Sequence, residues 1–212
     1  VLCFQEYALD IPSVERIDSL LKSRNRRIYR NDVVESGEVV LRTYSRYQII
    51  DSGSIAGMGS GTSQWVDIVR EHDTIRIFNN HLYTTSISKD DSEDIARGKI
   101  LQDGDRMRSI VNRIADNSSI RAAHVDTLRY IMDNTPYRQV VCGDFNDTPL
   151  SYVYNTLSEE LDDAFVEAGS GPGCCTFRPM HHVLRIDYIL FSEGLEIQSY
   201  DSDHSATMSD HL

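Results

Sequence analysis

The sequence predicts an α+β fold, and three observations carry that expectation: short apolar runs ending in polar residues, amphipathic helical stretches set among them, and loops rich in glycine and serine. Neither internal repeats nor low-complexity tracts interrupt this pattern.

The first run, Val1 to Glu6, is an apolar strand pattern ending in an acid. Glu6 is thereby placed at a strand terminus, either to hold a divalent cation or simply as a solvated acid. A helix is expected over Val14 to Lys22, followed by the basic cluster Arg24, Arg26, Arg27 and Arg30. That cluster suits an anionic substrate or membrane, or else a helix end whose cations oppose the negative end of the dipole. The glycine- and serine-rich stretch 51–62 reads as a flexible loop near a site or as ordinary turns, and 169–173 is a second such stretch. Trp65, beyond the first loop, suits the core better than a base-stacking platform.

A second run, Thr74 to Asn79, leads into Asn80, His81 and Leu82 and brings a histidine to a strand edge, as a site residue or a packing residue. The region Ser92 to Ile114 is helical in pattern with an interruption near Gly104, and a further helix is expected over Ile120 to Met132. In the latter, Ile120, Val125, Leu128, Ile131 and Met132 form a core-facing stripe.

The stretch Cys142-Gly143-Asp144-Phe145-Asn146-Asp147-Thr148-Pro149 is the most informative. Gln139 to Cys142 reads as a buried strand, Gly143 lets the backbone turn, and Asp147 or Thr148 before Pro149 is expected to cap a following helix. Asp144 and Asn146 then lie on a strand-to-loop edge. Two residues apart in extended backbone, they share a face, so a carboxylate oxygen and an amide can approach one phosphate or one hydrated metal ion. An Asx turn with a polar cap is the alternative. The run Arg185 to Leu190 carries Asp187 inside a strand pattern, where a buried acid needs a partner; a histidine is the natural one, backbone hydrogen bonds the alternative. The sequence closes on Ser209-Asp210-His211-Leu212.

Taken in order, Phe4-Gln5-Glu6, Asn80-His81-Leu82, Gly143-Asp144-Phe145-Asn146, Arg185-Ile186-Asp187-Tyr188 and Ser209-Asp210-His211 resemble the motifs of the endonuclease/exonuclease/phosphatase superfamily, the deoxyribonuclease I-like group. In texture the chain is most similar to its bacterial members. The resemblance implies a four-layer α/β/β/α sandwich of two mainly antiparallel sheets flanked by helices. It also implies a phosphoesterase that uses Mg²⁺ or Mn²⁺. Glu6 would ligate the cation and Asp210 would be an alternative ligand, Asp144 would position or activate the attacking water, and Asn146 would contact the scissile phosphate. His211 would contact phosphate or act as acid or base, Asp187 would orient a histidine, and His81 would hydrogen-bond the phosphate or protonate the leaving group. Such a set is chemically coherent, because donors and a hard cation stabilise the charge that accumulates during in-line displacement.

Ser-Asp-His occurs twice. Asp210 follows Asp187 by 23 residues, enough to finish one strand and begin another, whereas Asp203 follows it by 16 and lies in a polar run, so Asp210 and His211 are preferred over Asp203 and His204. Two departures from the family pattern stand out. An Asn that members carry on an earlier strand is not in the sequence, which also stops at Ser-Asp-His, so the chain is expected to be a domain trimmed at both ends. Gln48 stands where the family often has proline, which alters a turn more than the chemistry.

A length of 212 residues with 40% apolar content fits a single domain over residues 1–212. No apolar stretch approaches the roughly 20 residues that span a bilayer, and no signal peptide is visible. The four cysteines lack zinc spacing and are read as thiols, which suits a reducing compartment. A cytoplasmic or membrane-associated location is expected, the latter through a segment outside this sequence. A net charge of −12 and a pI near 4.9 leave no strong basic patch for tracking duplex nucleic acid. The expected partner is therefore a small phosphoester, a phospholipid or a nucleic-acid end, acted on by a monomer, with a DNA or RNA nuclease as the alternative and a noncatalytic phosphate-binding module as a further one.

Overall fold

The period-two apolar pattern of the strands buries both faces of a central sheet, and that requirement sets the architecture. The computed structural model describes residues 1–212 except 9, 10, 25, 26, 38, 58–60, 85–90, 92–102, 171–174, 179–183, 204, 206–208 and 212. Strands β1 (Leu2–Ala8), β2 (Tyr29–Ser36) and β3 (Val39–Ser45) form an antiparallel sheet in the order β1-β3-β2. Strands β4 (Gln48–Ala56), β5 (Thr62–Arg70), β6 (Asp73–His81), β7 (Arg138–Asp144), β8 (Leu161–Asp163) and β9 (Asp187–Ser192) form a second sheet in the order β4-β5-β6-β7-β9-β8. Its pairs are antiparallel except β6 with β7, where the connection is long enough to carry a helix across one face. Among the described residues the helices are α1 (Ile11–Arg24), α2 (Gly104–Asp133), α3 (Tyr152–Ser158) and α4 (Ala164–Ala168).

Successive residues of β6 show how one sheet serves two cores. Ile77 joins Val66 and Ile68 between the sheets, against Cys3, Tyr47 and Val140, whereas Phe78 points the other way, into a cluster with Val125, Leu128 and Met132 of α2 and Val153 and Leu157 of α3. Each fully buried aliphatic or aromatic side chain of this kind contributes roughly 1.5–3 kcal/mol. Helix α1 lies against the three-stranded sheet, where Asp18 accepts hydrogen bonds from Tyr44 at 2.7 Å and Arg30 at 3.3 Å. The four layers are thus α1, three strands, six strands, and α2 with α3, as the resemblance implied. Among the described residues no helix is long and apolar enough to cross a membrane.

Several local expectations are corrected. Helix α2 runs unbroken through residues 114–120, and Gly104 is its first residue, because the Asp103 carboxylate accepts from the Arg106 N–H at 3.0 Å and caps the start. Its buried face continues through Asn117, Arg121 and His124, polar residues that hide the stripe from a hydrophobicity reading; Ile120 and Ile131 are half-buried. The predicted helical residues 92–102 lie outside the described residues. The cap of α3 is Ser151, whose hydroxyl accepts from Tyr154 N at 3.2 Å, since Asp147 is taken up by Arg121 at 3.1 Å. Residues 51–56 belong to β4 and Thr62 opens β5, while 58–60 lie outside the described residues, as do 171–173 of the second glycine-rich stretch. Trp65 packs on the core as expected, with the Arg76 guanidinium 3.8 Å above its ring.

Candidate functional site

Strand register assembles the site. The parallel pairing of β6 and β7 sets His81 opposite Asp144, and the antiparallel pairing of β7 and β9 sets Asp144 opposite Asp187, so three predicted residues stand side by side in one row. Asp187 opens β9 rather than lying inside it. The row depends on Gly143: its φ is +128°, and a Cβ there would lie 2.0 Å from the Asn80 carbonyl oxygen, so only glycine lets β7 approach β6 this closely.

Two histidines face the centre of this row. His81 holds Glu35 through Nδ1 at 2.8 Å, and its Nε2 lies 4.0 Å from Asp144 and 3.7 Å from Glu6. His211 holds both oxygens of Asp187 through Nδ1, at 2.9 and 3.1 Å, and its Nε2 lies 3.9 Å from the same Asp144 oxygen. Burial by itself lowers the pKa of each imidazole. For His81 the hydrogen bond to Glu35 and the nearby carboxylates outweigh it and raise the pKa; for His211 the bond to Asp187 and its charge raise it to about 9. Asp144 is pushed up to about 7, by desolvation first and the Asp187 charge second, against the opposing pull of His211, Asn146 and His81.

Asn146 reaches Asp144 differently from the extended-strand expectation. Its φ of +51° curls the chain back, so that its N–H donates to Asp144 Oδ1 at 2.7 Å and its amide donates to Oδ2 at 2.8 Å and to the Leu82 carbonyl at 2.9 Å. The Asx-turn alternative therefore describes the backbone, and the side-chain amide donors are spent on Asp144 and the Leu82 carbonyl. Glu6 sits where β1 bulges between Phe4 and Tyr7, with φ +49° and a side chain 69% exposed. Behind it, Gln5 donates to Asn79 at 2.6 Å and ties β1 to β6. The Thr176 hydroxyl accepts from the N–H groups of Ile186 and Asp187 at 3.0 Å each, fixing the start of β9.

Of the two Ser-Asp-His motifs, the second supplies the histidine at Asp187, while Asp203 caps a local turn by accepting from Ser205 N and Oγ; His204 lies outside the described residues. Asp210 is exposed. The potential ligand atoms of Asp144, Asp187 and His211 lie within 4.8 Å of one another, and Asp210 is not among them. Glu35 is the residue that sequence reasoning missed. Its side chain is only 3% exposed and it comes from β2, with nothing in its local sequence pointing to His81.

Residues 1–211 match the profile of the Endonuclease/Exonuclease/phosphatase family, and the chain belongs to that family, whose members are phosphoester hydrolases. Solved structures share the fold. An endonuclease/exonuclease/phosphatase from Bacteroides vulgatus superimposes with a TM-score of 0.64 at 16% identity, over 99% of this chain and 80% of that one. The human Nocturnin catalytic domain, solved with a bound sulfate anion, gives 0.57 at 19% identity over 91% of this chain and 68% of its own. Truncated Caenorhabditis elegans TDP2 gives 0.58 at 16% identity over 90% and 69%. Against the latter two, the chain spans about two thirds of the length of the structure it matches. No curated protein matches the sequence.

Proposed function

We propose that the chain is a phosphoesterase dependent on Mg²⁺ or Mn²⁺ that hydrolyses a phosphodiester or phosphomonoester by in-line attack of water. One observation carries this reading: His81 and His211, each anchored at Nδ1 by a carboxylate, direct Nε2 toward Asp144 from 4.0 and 3.9 Å, leaving a gap that a phosphate oxygen can fill. With their pKa values raised by the carboxylates at Nδ1, both imidazoles donate Nε2–H to phosphate oxygens and offset the charge that builds there. Asp144, with its pKa near 7, takes the proton of the attacking water. Asn146, Glu35 and Asp187 are positioning residues that hold these three groups.

The donor chemistry fits a hard cation, because the site edge offers carboxylate oxygens. Asp187 is occupied by His211 and Asp144 by Asn146, so the exposed Glu6 is the residue that would hold the ion. When bound, such a cation neutralises a phosphate oxygen as a Lewis acid. The net charge of −12, together with pairing of Arg30 to Asp18 and Asp32 within the basic cluster, favours a small phosphoester, a phospholipid or a nucleic-acid end over a tracked duplex.

The test is hydrolysis of bis-p-nitrophenyl phosphate and p-nitrophenyl phosphate with Mg²⁺, Mn²⁺ or EDTA, by the wild type and by Asp144→Ala. The expected result is metal-dependent turnover that falls by about 10³-fold in the variant, the scale of a lost general base. Turnover unaffected by EDTA, or undiminished in Asp144→Ala, overturns the reading.

A further inference from the structure

We propose that Arg121 is a positioning residue for the reaction: its guanidinium ties together the two loops that leave β6 and β7, and through Asp147 it fixes the turn that orients Asp144. Arg121 belongs to α2 and is 1% exposed, among the largest fully buried side chains described. Taking a guanidinium out of water is costly unless its donors find acceptors, and an apolar side chain would fill the same space without that cost. Here the fork is spread over three partners. Nε and Nη2 both reach Asp147 Oδ2 at 3.1 Å, Nη1 donates to the Tyr83 carbonyl at 2.9 Å, and Nη2 donates to the Ser118 hydroxyl at 3.0 Å. Tyr83 lies two residues after His81, and Asp147 three residues after Asp144. One side chain of the helical layer therefore joins the loop behind the histidine to the loop behind the carboxylate.

Between Asp144 and Asp147 stands Asn146, with φ +51°. A side chain in that left-handed region persists only while its surroundings enforce the conformation. The next residue, Asp147, is held at three points: its Oδ2 by Arg121, its Oδ1 by the Thr148 N–H at 3.0 Å, and its carbonyl by the Tyr188 hydroxyl at 2.9 Å. Asn146 in turn donates to both oxygens of Asp144. Releasing Asp147 lets the turn at Asn146 relax, and Asp144 loses the donors that aim its carboxylate. His81 and His211 keep their own anchors, Glu35 and Asp187, so contacts to a bound phosphate are unaffected. Loss of the clamp therefore lowers kcat and leaves KM alone. The loss of turnover rests on the phosphoesterase reading; the clamp does not.

The experiment compares Arg121→Lys and Asp147→Asn with the wild type and with Arg129→Lys, a control near the C-terminal end of the same helix, where Arg129 pairs with Asp133 and Glu160. Lysine keeps the cation but, lacking the fork, cannot bridge both loops. Asparagine offers one side-chain acceptor oxygen where Asp147 uses two, and it carries the same test from the other partner should Arg121→Lys fail to fold. Two quantities are followed: turnover of bis-p-nitrophenyl phosphate, and amide hydrogen exchange by NMR at Asn146 measured against Leu128 in the core face of α2. In both clamp variants kcat is expected to fall by about ten- to hundredfold, the scale of a displacement of about 1 Å at a reacting centre, with KM within about twofold of wild type. Exchange at Asn146 is expected to quicken by about tenfold or more while Leu128 is unchanged, and Arg129→Lys to match the wild type in both. Exchange at Asn146 that stays at the wild-type rate, or rises only as much as at Leu128, overturns the clamp. Faster exchange with kcat unchanged, or a raised KM in place of a lowered kcat, overturns the positioning role. Faster exchange at Asn146 in a protein whose wild type has no turnover supports the clamp and counts against the phosphoesterase reading alone.

Discussion

His81 and His124 are almost equally hidden from water, at 8% and 5% exposure, yet their charges are driven in opposite directions. They flank the same sheet. His81 pairs in register with Thr62 on β5, and His124 of α2 bonds the hydroxyl of Ser63, the next residue and so the opposite face, at 3.0 Å. Burial depresses both imidazoles. His124 meets only a hydroxyl and falls to about 4, whereas His81 meets Glu35 and is raised. A carboxylate partner, then, decides in which direction burial leaves the pKa of a histidine here, and the carboxylates lie on the site face.

Under the proposed function, the sharpest way to break this contrast is Asp187→Asn. The asparagine oxygen still accepts from His211 Nδ1, so the ring stays in place while the charge that raises it to about 9 is gone. Turnover should fall by about 10³–10⁴-fold. The pH profile supplies the sign. In the wild type Asp144 must be ionised, above about 7, and His211 protonated, below about 9, which gives a bell between those values. In the variant the alkaline limb moves to lower pH. A limb that stays at about 9 would assign it to another group.

The scaffold histidine gives the opposite signature. Because the pKa of His124 is depressed when folded, its contribution to stability is complete above about 6.5 and is lost as pH falls through about 4. Replacing it with a non-titrating isostere, His124→Asn, should remove about 2–3 kcal/mol of acid sensitivity in urea unfolding between pH 6.5 and 4, with turnover at pH 8 within about twofold of wild type. Acid sensitivity that persists in the variant would place the titration elsewhere.

At His81 the contrast is smaller. Glu35→Gln keeps a hydrogen-bond acceptor at Nδ1 and removes the charge, so the imidazole should titrate at lower pH by NMR and turnover at pH 8 should drop about ten- to fiftyfold. An unchanged His81 titration would show that Glu6 and Asp144, the other carboxylates near its ring, suffice to hold the proton.

The sequence exposed the parts of this site whose logic is local. His81 and Asp144 close their strands and Asp187 opens its own, and register alone brings these three together; Glu6, expected at a strand terminus, lies within β1 instead, because a bulge after Phe4 lets the strand run on to Ala8. Glu35 was invisible because its significance comes from a contact 46 positions away, between strands of different sheets, and no short pattern encodes such a pairing. The length of α2 was misjudged for a related reason. Asn117, Arg121 and His124 are buried through tertiary partners, with Arg121 reaching Asp147 and the Tyr83 carbonyl, so polarity along the chain stopped tracking exposure.

Asp144 carries the smallest effect and the most direct link between stability and function. Its carboxyl is raised from 3.8 to about 7, so the folded state holds its proton more tightly than the unfolded chain, and that stabilisation is lost as pH rises through about 7. At pH 8.5 the protein therefore contains an ionised, desolvated carboxylate beside Asp187. Asp144→Asn removes the charge but turns an amide donor toward Asn146, which donates to both carboxylate oxygens, so one hydrogen bond of about 1 kcal/mol is forfeited. The net expectation is a variant about 1 kcal/mol more stable than wild type at pH 8.5 and no more stable at about pH 3, below the unfolded value of 3.8, where Asp144 is protonated in both states, read from urea midpoints at the two pH values. A gain of the same size at both values would trace to packing instead. A gain confined to alkaline pH, in a variant that no longer turns over substrate, would identify the carboxylate as a group kept at the expense of the fold.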